Sequence, residues 1–554
     1  MATQVFRHNP PRILLSSVFG PYARDDEFGS RAINPMELYH NQVTRAQGGF
    51  SLRMFHRSFG LMLLQANIDA PCTLLDFPTL DRFRKEIRKR DYDIVGISSI
   101  IPNVAKVAKM CTLVRESIPR ATIVVGGHVA NKPDVRELVD ADHVVKGDGV
   151  AWFRRLLGQD DEAPVRHPLA YSGFAGRVMG MTLRGKPRNT AAVLIPSVGC
   201  PVGCNFCSTS AMFGGKGRFI NFYETGDELF SVMCQIEKKL RVRSFFVMDE
   251  NFLLHRKRAL RLLELMEEHE KSWSLYVFSS GRVLRSYSIE QLVRLGVSWV
   301  WMGLEGENSQ YKKLKGVDTR AFVRELQSHG IRVLGSSIIG MEDHSPENID
   351  SIIDYAVSHS TDFHQFMLYT PVPGTALYDQ HLQQGTLIGD DRIPPADTHG
   401  QDRFNFHHEH IHDGRESEFL MRAFRRDFEI NGPSIARLAR TTLRGWQAYK
   451  NHPDKRIRSR FLWEARELAR TYAGVLWASR RWFRNNRNGH VSEKLSGLYS
   501  EITEEFGLKA RALGPLLGRI FLHSLRREEK RLVRGRTYEP RTKCERSARA
   551  VRPL

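Results

Sequence analysis

The stretch GCPVGCNFCS (199–208) sets Cys200, Cys204 and Cys207 in a C-x3-C-x2-C spacing directly behind the apolar run AAVLIPS (191–197). A short apolar run bounded by turn residues reads as a buried strand. Three thiolates in one loop can hold three irons of a 4Fe-4S cube and leave the fourth iron open to a substrate or cofactor. Gly199 and Gly203 let the loop curl around such a cluster, and Phe206, just before the third cysteine, can shield one side of it. Two other readings stand beside this one: a zinc site awaiting a distant fourth ligand, and buried cysteines that fall close by chance. Cys72, Cys111, Cys234 and Cys544 are scattered, which is no disulfide framework and suits a reducing compartment.

Downstream of the cysteines, apolar runs keep alternating with helical patterns. Strands are expected at SFFVMD (244–249), SLYVFSS (274–280), SWVWMGLE (298–305), RVLGSSIIG (332–340) and FHQFMLYTP (363–371), and helices at 227–240, 256–269 and 348–358. With the first run these make six βα units, which predicts a TIM-type barrel or part of one, with chemistry at the strand C-termini. Upstream, RILLSSV (12–18), CTLLDF (72–77), DIVGISSI (93–100), TIVVGG (122–127) and HVVKG (143–147) alternate with helical patterns at 50–67, 80–89, 104–117 and 135–139. This is the α/β signature of a Rossmann-like, flavodoxin-like parallel sheet, whose ligands sit beyond the carboxyl ends of the strands. Those ends read SSII, GGHVA and KGDGV, small enough for backbone to approach a bulky ligand. Residues 158–189 lack periodicity and are rich in Gly, Pro and Arg, which predicts a linker. The expected organisation is 1–160, a linker at 161–190, a core at 191–385, and a basic, mainly helical region at 386–554.

The 554 residues carry a net charge of +20, and the charge is concentrated at one end. From Arg415 onward there are 33 Lys and Arg against 15 Asp and Glu, leaving 49 against 47 before it. Arg-studded amphipathic helices are expected at 416–431, 437–448 and 458–485. RFLWEARELARTYAGVLWASRRWFRNN (460–486) has three possible uses for its aromatic residues: packing on the barrel under a solvated face, an anionic lipid interface, or a phosphate backbone. No run is long and apolar enough to span a bilayer, and MATQVFRHNPPRILLSS does not read as a cleavable leader, so a cytoplasmic location is expected, with contact at the inner membrane face. In FHHEHIH (406–412), alternation would place His408, His410 and His412 on one side of a strand. An exposed polar loop is the plainer reading and a second metal site the sharper one.

Over 191–378 the chain resembles the radical S-adenosylmethionine (SAM) superfamily, on the cysteine spacing with its preceding aromatic and on the strand-end motifs that follow in register. FFVMDENF (245–252) is similar to the strand-two motif, which implies Asp249 or Glu250 at the SAM amino group. WMGLEG (301–306) is similar to the glycine-glutamate strand four, which implies a SAM contact at Glu305. The resemblance further implies SAM contacts at Ser279, Arg282 and Gly340. YKKLKG (311–316) and TPVPGTALYD (370–379) are similar to stretches of the superfamily's cobalamin-associated members. The family chelates SAM on the open iron and cleaves it to a deoxyadenosyl radical that abstracts hydrogen from carbon. A non-catalytic iron-sulfur protein, a sensor or electron carrier, is the competing function class, and it would have no need of carboxylates in register with the cluster.

Residues 12–157 resemble the cobalamin-binding domain of one branch of that superfamily, on GISSIIPN, VVGGHVA and VVKGDGVAWFRRLL. The resemblance implies cobalamin contacts at Ser98, Ser99, Gly126, Gly127, His128 and Gly147. The cobalt-ligating D-x-H-x-x-G motif is absent, and the nearest stretch, RDDEFGSR (24–31), has no histidine. His128 as a substitute ligand and a domain that binds nothing are both open readings. With cobalamin bound, the family's chemistry is C-methylation of an unactivated carbon: one SAM methylates cobalamin, a second generates the radical, and the substrate radical collects the methyl group. Cyclisation, rearrangement and C–C coupling without methyl transfer are the alternatives. The expected partners are a small-molecule or lipid substrate, a reductant such as flavodoxin or ferredoxin, and an anionic membrane surface. No RNA-binding module is recognisable, so nucleic acid is not expected.

Overall fold

The apolar runs fold as strands because both of their faces are covered. ILLSS of the first strand is buried at every position, as is CTLLD of its neighbour. A computed structural model describes residues 6–20, 28, 42–182, 189–250, 252–305, 317–486, 488–535 and 541–547. In chain order the strands of the first half are β1 (Ile13–Ser17), β2 (Arg53–His56), β3 (Cys72–Asp76), β4 (Ile94–Ser98), β5 (Thr122–Gly126), β6 (His143–Val144), β7 (Gly173–Val178) and β8 (Met181–Thr182). The barrel half contributes β9 (Ala192–Leu194), β10 (Ser197–Val198), β11 (Ile220–Asn221), β12 (Ser244–Val247), β13 (Ser274–Ser279), β14 (Val297–Gly303), β15 (Arg332–Ile339) and β16 (Phe363–Leu368), and β17 (Lys543–Ser547) follows near the C-terminus.

The N-terminal sheet has the order β17-β3-β1-β4-β5-β6, with β1, β3, β4, β5 and β6 parallel and β17 antiparallel to β3. The doubly wound sheet expected from the sequence is therefore present, with an edge strand that the sequence did not announce. The second six-stranded sheet, β9-β12-β13-β14-β15-β16, is parallel throughout. No pairing joins β9 to β16 among the described residues, so the barrel is partial.

Residues of one period line the barrel interior with aromatic rings. Phe246 meets Phe278 at 5.8 Å and Phe278 stacks on Trp301 at 5.2 Å, while Trp299 lies beneath, between Tyr276 at 6.1 Å and Phe363 at 5.4 Å. Residues of the opposite period, such as Phe245, Leu275 and Val300, are buried against the surrounding helices.

Three local expectations change. Within the stretch expected to be a linker, β7 pairs with both β2 and β8 in a small antiparallel sheet. The turn Met179–Gly180 has positive φ at both residues, 49° and 75°, as a tight two-residue hairpin requires. The helix expected at 50–67 is β2 followed by a helix only at Phe59–Ala66, because β7 claims residues 53–56. The single helix expected at 458–485 is broken into Lys455–Ala465, a π-helical turn Leu468–Tyr472, and Ala473–Asn485. The break lets Ile457 and Phe461 join the barrel core while Trp477 and Phe483 pack against the remaining C-terminal helices.

These helices close the N-terminal end of the barrel. Glu464 accepts from Ser274 Oγ at 2.7 Å and pairs with Arg332, both at strand starts, and Arg460 donates to Val293 O at 2.7 Å. The floor of the barrel is thus a buried ionic layer, and the opposite, C-terminal end carries the cysteine loop. Of the 460–486 aromatics, Phe461 packs on the barrel, and Trp477 and Phe483 pack among the C-terminal helices. Among the described residues, no helix is long and apolar enough to cross a membrane.

Candidate active site

The cysteine loop follows β9 and is folded tightly by its glycines. Gly199 has φ +89° and a β-carbon there would lie 3.0 Å from Phe213, while one on Gly203 (φ +70°) would press on Lys216 at 2.5 Å. Ser210 Oγ donates to Cys200 O at 2.7 Å and Cys207 N to Cys204 O at 3.1 Å, which fixes the curl. None of the three is in a disulfide, and all are partly exposed. Burial pushes the Cys200 thiol up to about 11, and charge at Cys207, Glu250 and Cys204 adds to the rise. Among the described residues no three His, Cys, Asp or Glu side chains converge on a single ion. A 4Fe-4S cube asks for something else, one soft thiolate on each of three irons, and three thiols on one curled loop meet that demand. Iron bound there would displace the thiol protons and offset the cost of holding these sulfurs as buried anions.

The two acids after β12 separate. Asp249 is fully buried and accepts from Arg258 Nη2 at 2.7 Å, while Arg258 Nη1 holds Asn221 Oδ1 and Tyr223 O. That ion pair ties β12 to β11, so Asp249 is a strut of the barrel rim. Glu250 stays partly exposed, and its carboxyl is pushed up to about 7 by desolvation, with the Asp249 charge contributing. At the end of β13, Ser279 Oγ is buried with no hydrogen-bond partner, and Arg282 stands exposed in the short helix Gly281–Leu284. Glu305 is buried just past β14 and folds back so closely that any β-carbon on Gly303 would collide with its carboxylate. Gly340 (φ +81°) ends β15 beneath the Phe404 ring, which leaves no room for a β-carbon, and its N–H donates to His344 Nδ1 at 3.0 Å. Gly340 is therefore a packing position in this structure.

In the N-terminal half, the ends of β4 and β5 are laced together. Ser99 N donates to Gly126 O at 3.2 Å and Val129 N to Ser99 O at 3.1 Å, and a β-carbon on Gly127 (φ +82°) would sit 2.6 Å from Ser99 O and 2.7 Å from Ser98 Oγ. Ser99 Oγ is buried and unpartnered, while Gly147 faces open space. His128 follows on the same loop, and burial lowers its pKa, which favours the neutral imidazole.

These two halves face one cavity of about 850 Å³. Ile101, His128 and Lys132 line it from the N-terminal domain, Phe206, Cys207 and Glu305 from the cluster end, Ser336, Met367 and Tyr369 from β15 and β16, and Leu387 to Asn405 in part from the following segment. Sequence reading had no signal for that last wall, which is aperiodic. It is tied to the N-terminal domain by Lys132, which pairs with Asp134 at 2.5 Å and Asp390 at 2.7 Å. TPVPGTALYD (370–379) crosses the seam, with Gly374 packed near Asn131. The histidine run lies outside the cavity. His408 is buried, with Nε2 bonded to Met341 O at 3.1 Å and Nδ1 accepting from His410 N and Ile411 N, whereas His407, His410 and His412 are exposed. Neither a metal site nor a wholly exposed loop, it is a turn clamped by one neutral imidazole. YKKLKG (311–316), Gly306, and RDDEFGSR apart from Phe28 lie outside the described residues.

Comparison with known proteins gives the same two halves in the same order. The B12 binding domain family matches residues 55–157, and the Radical SAM superfamily matches residues 194–356. The chain carries a B12 binding domain followed by a radical SAM domain. Its cofactors are therefore a 4Fe-4S cluster, SAM and cobalamin. Among relatives, this radical SAM enzyme is 26% identical to an uncharacterised methyltransferase of Pyrococcus horikoshii, over 56% of this chain and 74% of the relative. It is 29% identical to the bacteriochlorophyllide d C-12(1)-methyltransferase of Chlorobaculum tepidum, over 34% and 42%, and 26% identical to the hopanoid C-2 methylase of Rhodopseudomonas palustris, over 35% and 38%. The chain thus spans about two fifths of the length of these last two.

Proposed function

We propose that this enzyme methylates an unactivated carbon of an apolar, ring-containing lipid or natural product. The observation that carries the reading is the single cavity into which Cys207, Glu305 and the β4 and β5 strand-end loops all open, since methyl transfer between a SAM site and a cobalamin site needs both at one substrate carbon. Two of the relatives are named as methylating a carbon of a bacteriochlorophyllide and of a hopanoid, and Phe206 and Tyr369, whose rings meet at 6.2 Å in the cavity wall, offer apolar surface of the kind that such substrates pack on.

When bound, the cluster supplies the electron that cleaves SAM and the cobalamin carries the methyl group. Cys200, Cys204 and Cys207 hold the three irons. The Glu305 carboxylate, desolvated at the strand end, would accept from the SAM ammonium, and Ser279 Oγ, buried without a partner, would offer the hydroxyl that a carboxylate or ribose needs. Glu250, its carboxyl raised to about 7, stands beside the cluster loop where it can hold or release a proton, and Arg282 presents a cation. Gly126, Gly127 and Gly147 would let backbone approach the cobalamin beside the Ser98 and Ser99 hydroxyls, with His128 at the rim. The apolar wall of Phe206, Ile338, Met367 and Tyr369 would exclude water from the reacting carbon, which protects a radical from quenching.

The test is incubation of the reconstituted enzyme with methyl-deuterated SAM and an apolar extract of the source cells. A product carrying an intact trideuteromethyl group on carbon supports the reading. A product that is dehydrogenated or cyclised with no label, formed with deoxyadenosine, replaces methylation with another radical reaction.

A further inference from the structure

The helix Gly489–Val533 is broken at Gly507 (φ 58°, ψ −139°), and its second half, 508–533, has two unlike faces. Ala510, Gly514, Gly518, Phe521 and Leu525 form the inward face, which is close-packed. A β-carbon on Gly514 would lie 2.7 Å from the Tyr499 hydroxyl, and one on Gly518 would collide with Trp477. The outward face carries Leu508, Leu516 and Ile520, which are 83%, 57% and 53% exposed, with Ala512 continuing the four-residue spacing. Lys509, Arg511, Arg519, Arg526, Arg527 and Lys530 flank this ridge, and none of them makes an ion pair among the described residues. Both acids of this half are turned away from the ridge. Glu528 pairs with Arg177 and Arg531, and Glu529 accepts from Gly49 N.

We propose that this face docks on an anionic phospholipid bilayer, lying in the interface without spanning it. Three bare aliphatic side chains in a row among unpaired cations match a surface that is apolar within and negatively charged at its head groups. A phosphate backbone would use the cations but leave the aliphatic ridge in water. A second copy of the chain would bring like charges together. An acidic electron carrier is the wrong fit by position, because this helix belongs to the hydrophobic cluster that includes Trp299 and Leu334 near the floor of the barrel, the end opposite the cysteine loop. The inference is independent of which reaction the active site performs. It also moves the membrane contact away from 460–486, whose Trp477 and Phe483 are buried.

The test is flotation of the full-length protein with phosphatidylcholine vesicles, with and without about one third phosphatidylglycerol, at low and high salt. The protein is expected to float with the anionic vesicles at least tenfold more than with the neutral ones, and to fall off as salt screens the cations. Two triple variants, Leu508→Gln/Leu516→Gln/Ile520→Gln and Arg519→Gln/Arg526→Gln/Arg527→Gln, should each lose tenfold or more while keeping the wild-type melting temperature, since all six side chains are exposed. Equal flotation with both lipids, no flotation, or an aliphatic triple that floats like wild type overturns the proposal. So does a wild-type dimer that the aliphatic triple converts to monomer by sedimentation velocity, or duplex DNA bound more tightly than the vesicles.

Discussion

At the scale of single residues, Gly303 shows how a strand end is committed to one carboxylate. Glu305 folds back over it, so Gly303→Ala must displace that carboxylate, which is the nearest group to the added carbon. Deoxyadenosine formation is expected to fall at least tenfold with the iron content unchanged, measured by chemical iron assay and turnover on the same sample. Replacing Cys200, Cys204 or Cys207 by Ala should instead bring iron close to background and abolish deoxyadenosine. The cysteine loop was legible in the sequence because its ligands are local, spaced within eight residues. The split between Asp249 and Glu250 was not, because the Arg258 that claims Asp249 comes from a helix and the partners that hold Arg258 from β11 and the loop after it. Gly340 shows the same limit. Its strand was readable, but the Phe404 ring that fills the space above it arrives from a segment without periodicity.

At the scale of elements, the barrel floor rests on Glu464. It is buried between Arg332 and Arg460, and both guanidinium groups are themselves buried. Glu464→Gln removes the charge that compensates them and is expected to cost about 3–5 kcal/mol, since breaking a buried pair strands its partners. Denaturant titration of the cofactor-free protein reads this directly, and a loss under ~1 kcal/mol would mean that water reaches the floor. The strands of both large sheets were visible because continuous apolar runs need two covered faces. β2, β7 and β8 were not, because they are short and partly polar, and the pairing of β2 with β7 spans more than a hundred residues. β17 escaped for the same reason: KCERS has no apolar alternation, and its register on β3 is set across the whole chain.

At the scale of the molecule, β17 ties the end of the helical region back to the first domain, capping the exposed edge of β3. Arg546 bonds Glu86 at 2.8 Å and Glu545 bonds Arg57 at 2.6 Å, across a backbone ladder of five residues. Removing residues 541–554 bares that edge, and the shortened protein should melt several degrees lower and aggregate more readily on size exclusion. Acid acts on the whole fold through histidines buried as neutral rings. Burial depresses His167 and His344 to about 4 and His364 and His399 to about 3. Below the unfolded value near 6.5 the unfolded chain takes up protons that the folded chain refuses, so stability is complete above pH ~6.5 and falls as pH drops from there toward 3–4. Each such histidine adds a slope of up to ~1.4 kcal/mol per pH unit. The melting temperature should be flat from pH 7 to 8 and drop below 6.5, less steeply in His364→Gln.

The claim that joins these scales is that one cavity serves cluster, SAM and cobalamin together. Its most direct test is anaerobic purification from cobalamin-fed cells, reconstitution of the cluster, and assay of bound corrinoid alongside both SAM products. Corrinoid near one per chain, with S-adenosylhomocysteine and 5′-deoxyadenosine formed in about equal amounts once substrate is present, is the predicted result. Deoxyadenosine formed by a protein that retains no corrinoid would contradict it.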